Sequence, residues 1–159
     1  DEVGELWLKG PMVAKGYWNN PQATQENFVD GYWRSGDVGR MDAQGFVYVM
    51  DRRKDMLNRG GYKIFSVEVE NALCEHPDVL EAAVVAKPCP VLGERVHVFV
   101  TLRDDKHTEA EALRRFCAER LADYKVPESF TISRNLLPRN ANGKLLKRVL
   151  RQELLATQA

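Results

Sequence analysis

The sequence predicts an α+β protein in two pieces, a β-rich stretch to about Met50 and a compact mixed domain from about Arg52. Three observations predict it. Short apolar runs between turn residues fill the stretch up to Met50. The texture then breaks at "DRRKDMLNRGGYKI", Asp51 to Ile64, a charge cluster ending in two glycines. Beyond the break, helical periodicity interleaves with two long apolar runs.

Taken in order, "GELWLKG" alternates as a strand does, with Leu6 and Leu8 on one side, and "GPMVAKGY" follows as a loop. In "NNPQATQENF", Asn20 is an N-cap and Pro21 occupies the first helical position, so a short helix is expected. "VGRMDAQGFVYVM" reads as a hairpin turning at Asp42 to Gly45, and the Asp51–Ile64 stretch as a linker leading into a second hairpin. Ser66 is expected to cap a helix with Val69, Ala72 and Leu73 on its apolar face, stopped by Pro77. "VLEAAVVA" and "RVHVFVTL" read as core strands, the second placing Val96, Val98, Val100 and Leu102 on one side. Thr108, with Glu111 three residues on, is expected to form a capping box. Ala110, Leu113, Phe116, Cys117 and Leu121 line one face of the helix behind it. "SFTIS" is a short strand, and Leu145, Leu146, Val149, Leu150 and Leu154 make the last helix amphipathic. Native domains seldom open in mid-sheet as this chain does, so a piece of something longer is expected.

Bulk properties exclude several functions. Lys+Arg and Asp+Glu both number 23 in 159 residues, so no net field draws nucleic acid or an anionic membrane. The three cysteines, Cys74, Cys89 and Cys117, are odd in number and widely spaced, which favours a reducing, cytoplasmic compartment over a disulfide framework. His76, His97 and His107 lack metal-ligand spacing, so no metal site is expected. No apolar run approaches the roughly 20 residues of a spanning helix.

Three stretches can carry chemistry. In "YWRSGDVG", Asp37 follows a glycine where a strand would begin, and its two carboxylate oxygens match the vicinal hydroxyls of a ribose, although an aspartate in a turn is more often a turn-former. In the linker, Arg52 follows Asp37 by 15 positions and Lys54 sits amid the charges. A charged surface linker is the plainer account. Gly60 and Gly61 suit either a turn needing positive φ or close backbone approach to an extended ligand. In "LPRNANGKLLKRVL", Lys144 stands alone on a polar loop before a helical run, an end where the macrodipole disfavours cations. It is no Walker lysine, because Leu145 follows it and no upstream glycine has the P-loop spacing. Arg139, Lys144, Lys147, Arg148 and Arg151 cluster, and a solvated face is the expected reading.

The order of the stretches says more than any one of them. "GYWNNPQAT", "YWRSGDVG", "DRRKDMLNRGGYKIFSVEVE", "LADYKVP" and "LPRNANGKLLKR" follow one another in a single chain. Together they resemble the C-terminal part of the adenylate-forming superfamily, which holds acyl-CoA synthetases, peptide-synthetase adenylation domains and luciferases. The resemblance implies an AMP-forming acid–thiol ligase: ATP activates a carboxylate as an acyl-adenylate, and the acyl group then passes to coenzyme A. It implies that residues 1–50 are the closing β-subdomain of a large N-terminal adenylation domain, 51–54 a hinge, and 55–159 the small mobile C-terminal domain, a short sheet flanked by helices. By position, Asp37 accepts from the ribose hydroxyls and Arg52 donates to the nucleotide. Lys54 is the pivot, Gly60, Gly61 and Tyr62 border the pantetheine arm of CoA, and Lys144 reaches the adenylation site as the catalytic residue. Mg2+ is expected to come with ATP through the N-terminal domain, which is the chain's own partner.

There are departures. Ser66 stands where ligases usually have proline, Cys89 replaces a usual aspartate, and Leu92 stands where some members have an arginine near CoA. The form "KDMLNRGGYKI" is closer to acyl-CoA ligases, such as those of fatty acid metabolism, than to peptide synthetases. The ATP-phosphate loop and acyl pocket are not in this chain, so on its own it is expected to be inactive. The alternatives are a peptide-synthetase adenylation fragment and a free-standing module that binds nucleotide or CoA without catalysis.

Overall fold

A computed structural model describes residues 2–157, which fall into two compact units divided between Lys54 and Asp55. The first is a four-stranded antiparallel sheet built around one long strand. β1 (Gly4–Leu8) leads through a loop to α1 (Pro21–Asn27), β2 (Phe28–Val29), β3 (Tyr32–Met41) and β4 (Val47–Arg52). β3 is central, pairing with β1, β2 and β4. The expected cap is present: the Asn20 side chain accepts from Ala23 N at 3.0 Å, with Pro21 in the first turn. At the tip of the β3–β4 hairpin, Asp42 Oδ1 accepts from Gln44 N (3.0 Å) and Phe46 N (2.9 Å), closing the turn read from the sequence.

The second unit is an α+β sandwich on a five-stranded sheet. It runs β5 (Leu57–Arg59), β6 (Tyr62–Ile64), α2 (Ser66–Cys74), β7 (Val79–Cys89), β8 (Gly93–Leu102), α3 (Ala110–Ala118), a 3-10 turn over Asp123–Lys125, β9 (Ser129–Ser133) and α4 (Lys147–Ala156). The order is β6-β5-β8-β7, with β9 added parallel to β8; the other pairs are antiparallel. Strand alternation splits the core in two. Val84, Val96, Val98 and Val100 meet Val69 and Leu73 of α2 and Leu113 and Cys117 of α3, whereas Ala83, Val85 and Phe99 meet Leu150 and Leu154 of α4. Both faces of the β7–β8 ribbon are therefore covered, which is why these strands read as continuous apolar runs. Among the described residues no helix is long and apolar enough to cross a membrane.

Two expected caps are corrected. Ser66 is the first residue of α2 and Phe65 holds the N-cap position with extended backbone; the Ser66 hydroxyl instead accepts from Lys147 Nζ at 2.7 Å. At α3 the N-cap position is Glu109 without a side-chain bond, the Thr108 hydroxyl donates to Asp78, and Glu111 pairs with Arg114 at 2.7 Å. In both cases a distant polar partner out-competes the local backbone amide. Leu145 and Leu146 also precede α4, which starts at Lys147.

His97 of β8 is 4% exposed, its ring nitrogens 2.7 Å from Ser129 Oγ and 3.1 Å from Thr131 Oγ1 on β9. Burial, and then the charge of Lys87, push its pKa down from 6.5 to about 4. The native ring thus stays neutral while the unfolded chain takes up a proton. Stability from this group is complete above pH 6.5 and is lost as pH falls toward 4, with a slope of at most about 1.4 kcal/mol per pH unit. Urea titrations between pH 7 and 4 should show that slope, and His97→Gln should flatten it.

Candidate functional site

The residues singled out in the sequence lie at three places. In the first unit, the β3–β4 register sets Asp37 opposite Arg52 and turns a separation along the chain into a contact. Arg52 Nε lies 2.8 Å from Asp37 Oδ1, and Arg52 Nη1 donates to Ser35 O at 3.4 Å. Asp37 does not start a strand, as expected from its glycine, but sits inside β3 beside a register shift at Val38/Gly39, its own amide held by Ser35 Oγ at 3.0 Å. The side chains are 25% and 47% exposed, so a carboxylate already oriented by a guanidinium faces solvent. A pair of this kind presents acceptor and donor side by side, as a ribose and its neighbouring phosphate would require. Lys54, exposed, closes the first unit.

In the second unit Gly60 and Gly61 are the two central residues of the β5–β6 hairpin, with φ of 56° and 92°. Such a turn needs positive φ at both positions, which glycine adopts without strain. Gly60 N donates to Leu92 O at 2.8 Å, and a Cβ on Gly60 would lie 3.4 Å from Leu92 Cδ2. Tyr62 follows, 59% exposed and stacked on Tyr124 with ring centroids 4.7 Å apart. Lys125, next to that tyrosine, binds both carboxylate oxygens of Glu68 at 2.6 and 2.7 Å, and Arg59 binds Glu128 at 2.7 Å. The hairpin is a bare backbone edge between an aromatic wall and Leu92.

The polar loop that carries Lys144 is a hydrogen-bonded turn. Arg139 and Leu145 bridge as in a strand pair, Asn140 N donates to Lys144 O at 2.9 Å, and Gly143 N to Asn140 O at 2.9 Å. The Asn140 side chain accepts from Asn142 N (3.1 Å) and Lys144 N (2.8 Å), and Gly143 takes a φ of 77° that a larger residue resists. Of the basic neighbours of Lys144, Arg148 is exposed as a solvated face would have it, but the other three are ion-paired. Lys147 pairs with Glu70 at 2.6 Å, Arg151 with Asp55 at 2.6 Å, and Arg139 with Glu81. Among the described residues nothing pairs with the exposed Lys144 ammonium.

The second unit holds its two sites apart. The Gly60–Gly61 hairpin adjoins the Cys89 and Gly93 end of the β7–β8 ribbon, and the Lys144 turn hangs from Glu81 near the other end. At about 3.3 Å per residue, β7 between Glu81 and Cys89 spans roughly 25 Å. A single reacting centre cannot touch both at once. Sequence reasoning missed Glu81, Glu70 and Tyr124, whose local patterns read as ordinary strand and helix residues.

Comparison with known proteins finds relatives over nearly the whole chain. Residues 68–144 match the AMP-binding enzyme C-terminal domain. The chain is 43% identical over 157 residues to the 2-succinylbenzoate–CoA ligase of Geobacillus kaustophilus, covering 99% of this chain and 32% of that protein. It is 45% identical over 152 residues to the long-chain-fatty-acid–CoA ligase of Bacillus subtilis, covering 96% and 27%. Among solved structures, it superposes on the o-succinylbenzoate CoA synthetase of Bacillus subtilis in complex with its acyl-adenylate intermediate, with TM-score 0.87, 41% identity, and coverage of 94% of this chain and 30% of that one. The amide bond synthetase McbA of Marinactinospora thermotolerans matches with TM-score 0.85 and 37% identity, over 96% and 31%. The chain thus spans about a third or less of the length of the relatives it matches. With the five ordered motifs, the α+β architecture and these matches in agreement, the chain resembles the adenylate-forming, AMP-binding enzymes over nearly its whole length, and residues 68–144 match their C-terminal domain.

Proposed function

We propose that the chain is the C-terminal part of an AMP-forming acid–thiol ligase that joins a carboxylic acid to coenzyme A through an acyl-adenylate. The observation that carries this reading is the Lys144 ammonium, which among the described residues has no partner and sits at the tip of a bonded turn, while Arg139, Lys147 and Arg151 are each ion-paired and Arg148 is exposed on α4. A cation held ready in this way suits a reaction between two anions. Asp37 receives the ribose hydroxyls and Arg52 steadies both the carboxylate and the nucleotide. The Gly60–Gly61 edge and Tyr62 border the pantetheine arm in the second step. Of residues 51–54, Asp51 and Arg52 are paired in β4 and Arg53 is bonded to Gly36, so Lys54 alone is the pivot that lets one small domain present its two ends in turn. The kinship with two CoA ligases supports the thiol acceptor. The kinship with an amide bond synthetase makes an amine the second candidate acceptor.

Mg2+ would accompany ATP. Among the described residues no three His, Cys, Asp or Glu gather as a metal cage, and the ligands of Mg2+ are proposed to lie in the large domain. The cysteines are free thiols, in keeping with a reducing, cytoplasmic setting.

The full-length protein should release pyrophosphate with ATP and a carboxylic acid, and form a thioester only when CoA is added; palmitate and 2-succinylbenzoate are the first probes. The 159-residue chain alone should support no ATP–pyrophosphate exchange. Exchange by the isolated chain, or amide formation without thioester in the intact protein, would each overturn part of the reading.

A further inference from the structure

Among the described residues β7 is an edge strand of the sheet, with no strand pairing its outward backbone. Two carboxylates serve that edge. Glu70 of α2 accepts from Val84 N at 2.8 Å and pairs with Lys147 Nζ at 2.6 Å, the two side chains being 17% and 12% exposed. Glu81, on β7 itself and 15% exposed, accepts from Leu137 N through Oε1 at 2.7 Å and pairs through Oε2 with Arg139. Arg139 in turn donates from Nη1 to Gly143 O at 2.9 Å, the carbonyl that precedes Lys144. The segment bearing Lys144 is therefore fastened just ahead of it, at Arg139, and just behind it, at Lys147. Both fastenings run to the same strand edge.

Taking Lys144 as the cation of the adenylation step, as proposed above, we infer that Glu81 and Arg139 are positioning residues which hold its turn to the edge of β7. Catalysis by a point charge depends steeply on placement, and a misplacement of about 1 Å can cost on the order of 100-fold in rate. A loose turn would have to be re-ordered each time the small domain closed. A turn fastened to the sheet arrives already in register. Glu81 suits the task because one carboxylate serves backbone and guanidinium together.

The test uses the full-length enzyme with Glu81→Gln, Arg139→Met, Arg139→Lys and Lys144→Ala. Two half-reactions are measured, ATP–pyrophosphate exchange and transfer from pre-formed acyl-adenylate to CoA, together with amide hydrogen exchange. Glu81→Gln retains an acceptor for Leu137 N, so it should fold even if harsher changes do not. Glu81→Gln and Arg139→Met are expected to lower pyrophosphate exchange 10- to 100-fold and leave transfer within about 3-fold. They should also speed hydrogen exchange at Gly143 and Lys144 at least 10-fold, without change at Val98 and Phe99, and Arg139→Lys should recover part of the loss. Equal losses in both half-reactions, or unaltered adenylation with a loosened turn, would overturn the positioning role. If Lys144→Ala is selective and the clasp variants are not, only this inference fails. If Lys144→Ala is itself unselective, the underlying reading fails with it.

Discussion

Under the proposed ligase activity, replacing Lys144 with alanine in the full-length protein is expected to lower the rate of adenylate formation by roughly 100- to 1,000-fold, the scale of losing one pre-organised charge at a transition state. Transfer from a supplied acyl-adenylate to CoA should change by less than about 3-fold. The asymmetry follows from where charge sits in each step. Adenylation brings a carboxylate against a phosphate, and two unit like charges about 4 Å apart repel by roughly 4 kcal/mol at an effective dielectric near 20. A cation between them removes that repulsion and gains most as charge gathers in the transition state. In the transfer step the acid is already neutralised as a mixed anhydride, and the Lys144 turn lies at the far end of the ribbon from the Gly60–Gly61 edge. Lysine fits the role as a compact charge on a long stem. Lys144→Arg should recover little, because a planar fork needs room that a point charge does not. Steady-state pyrophosphate exchange beside single-turnover transfer separates the two rates, and an equal loss in both would remove Lys144 from the role.

Local patterns were legible wherever the partner was also local. Asn20 and Pro21 started α1 as read, Asp42 to Gly45 turned the β3–β4 hairpin, and the two apolar runs became β7 and β8 with Val96, Val98, Val100 and Leu102 in one core. The reading failed where long-range chemistry competed with a local rule. Ser66 and Thr108 each had the letters of a helix cap, but Lys147 lies 81 residues from Ser66 and Asp78 lies 30 from Thr108, and nothing in a short window shows either. The Lys144 turn is the same case. "RNANGK" has the composition of a mobile loop, yet Arg139 reaches a carboxylate 58 residues away and fixes the turn to the sheet. The motif letters gave the places of Asp37 and Arg52, but their contact depends on the register of β3 with β4, including a shift at Val38/Gly39 that periodicity cannot show. Charged residues near a site mislead most in this way. Their partners are chosen by the fold, so a run such as Arg139 to Arg151 reads as solvated when three of its cations are spoken for.

Lys54→Pro in the intact enzyme is expected to slow thioester formation by 10-fold or more while leaving pyrophosphate exchange within about 3-fold. If one small domain delivers Lys144 in the first step and the Gly60–Gly61 edge in the second, a large rotation must be absorbed by a few backbone dihedrals. The chain passes from one compact unit to the other between Lys54 and Asp55. Proline fixes φ near −65° and also drives the preceding residue, here Arg53, away from the α region. Two adjacent sets of dihedrals are thereby restricted at once. Arg53 is already tied on the first-unit side, its amide donating to Gly36 O at 2.8 Å and its guanidinium 3.7 Å from Glu5, so it cannot take over as pivot without breaking β-sheet contacts. Lys54→Ala, which removes the charge and keeps the dihedral freedom, is the control: near-normal rates in both steps would assign the proline effect to the backbone. A proline variant that forms thioester at the normal rate would move the hinge elsewhere. One that loses both steps together would mean that the restricted backbone blocks the first closed state as well as the second, and that Lys54 is no selective pivot.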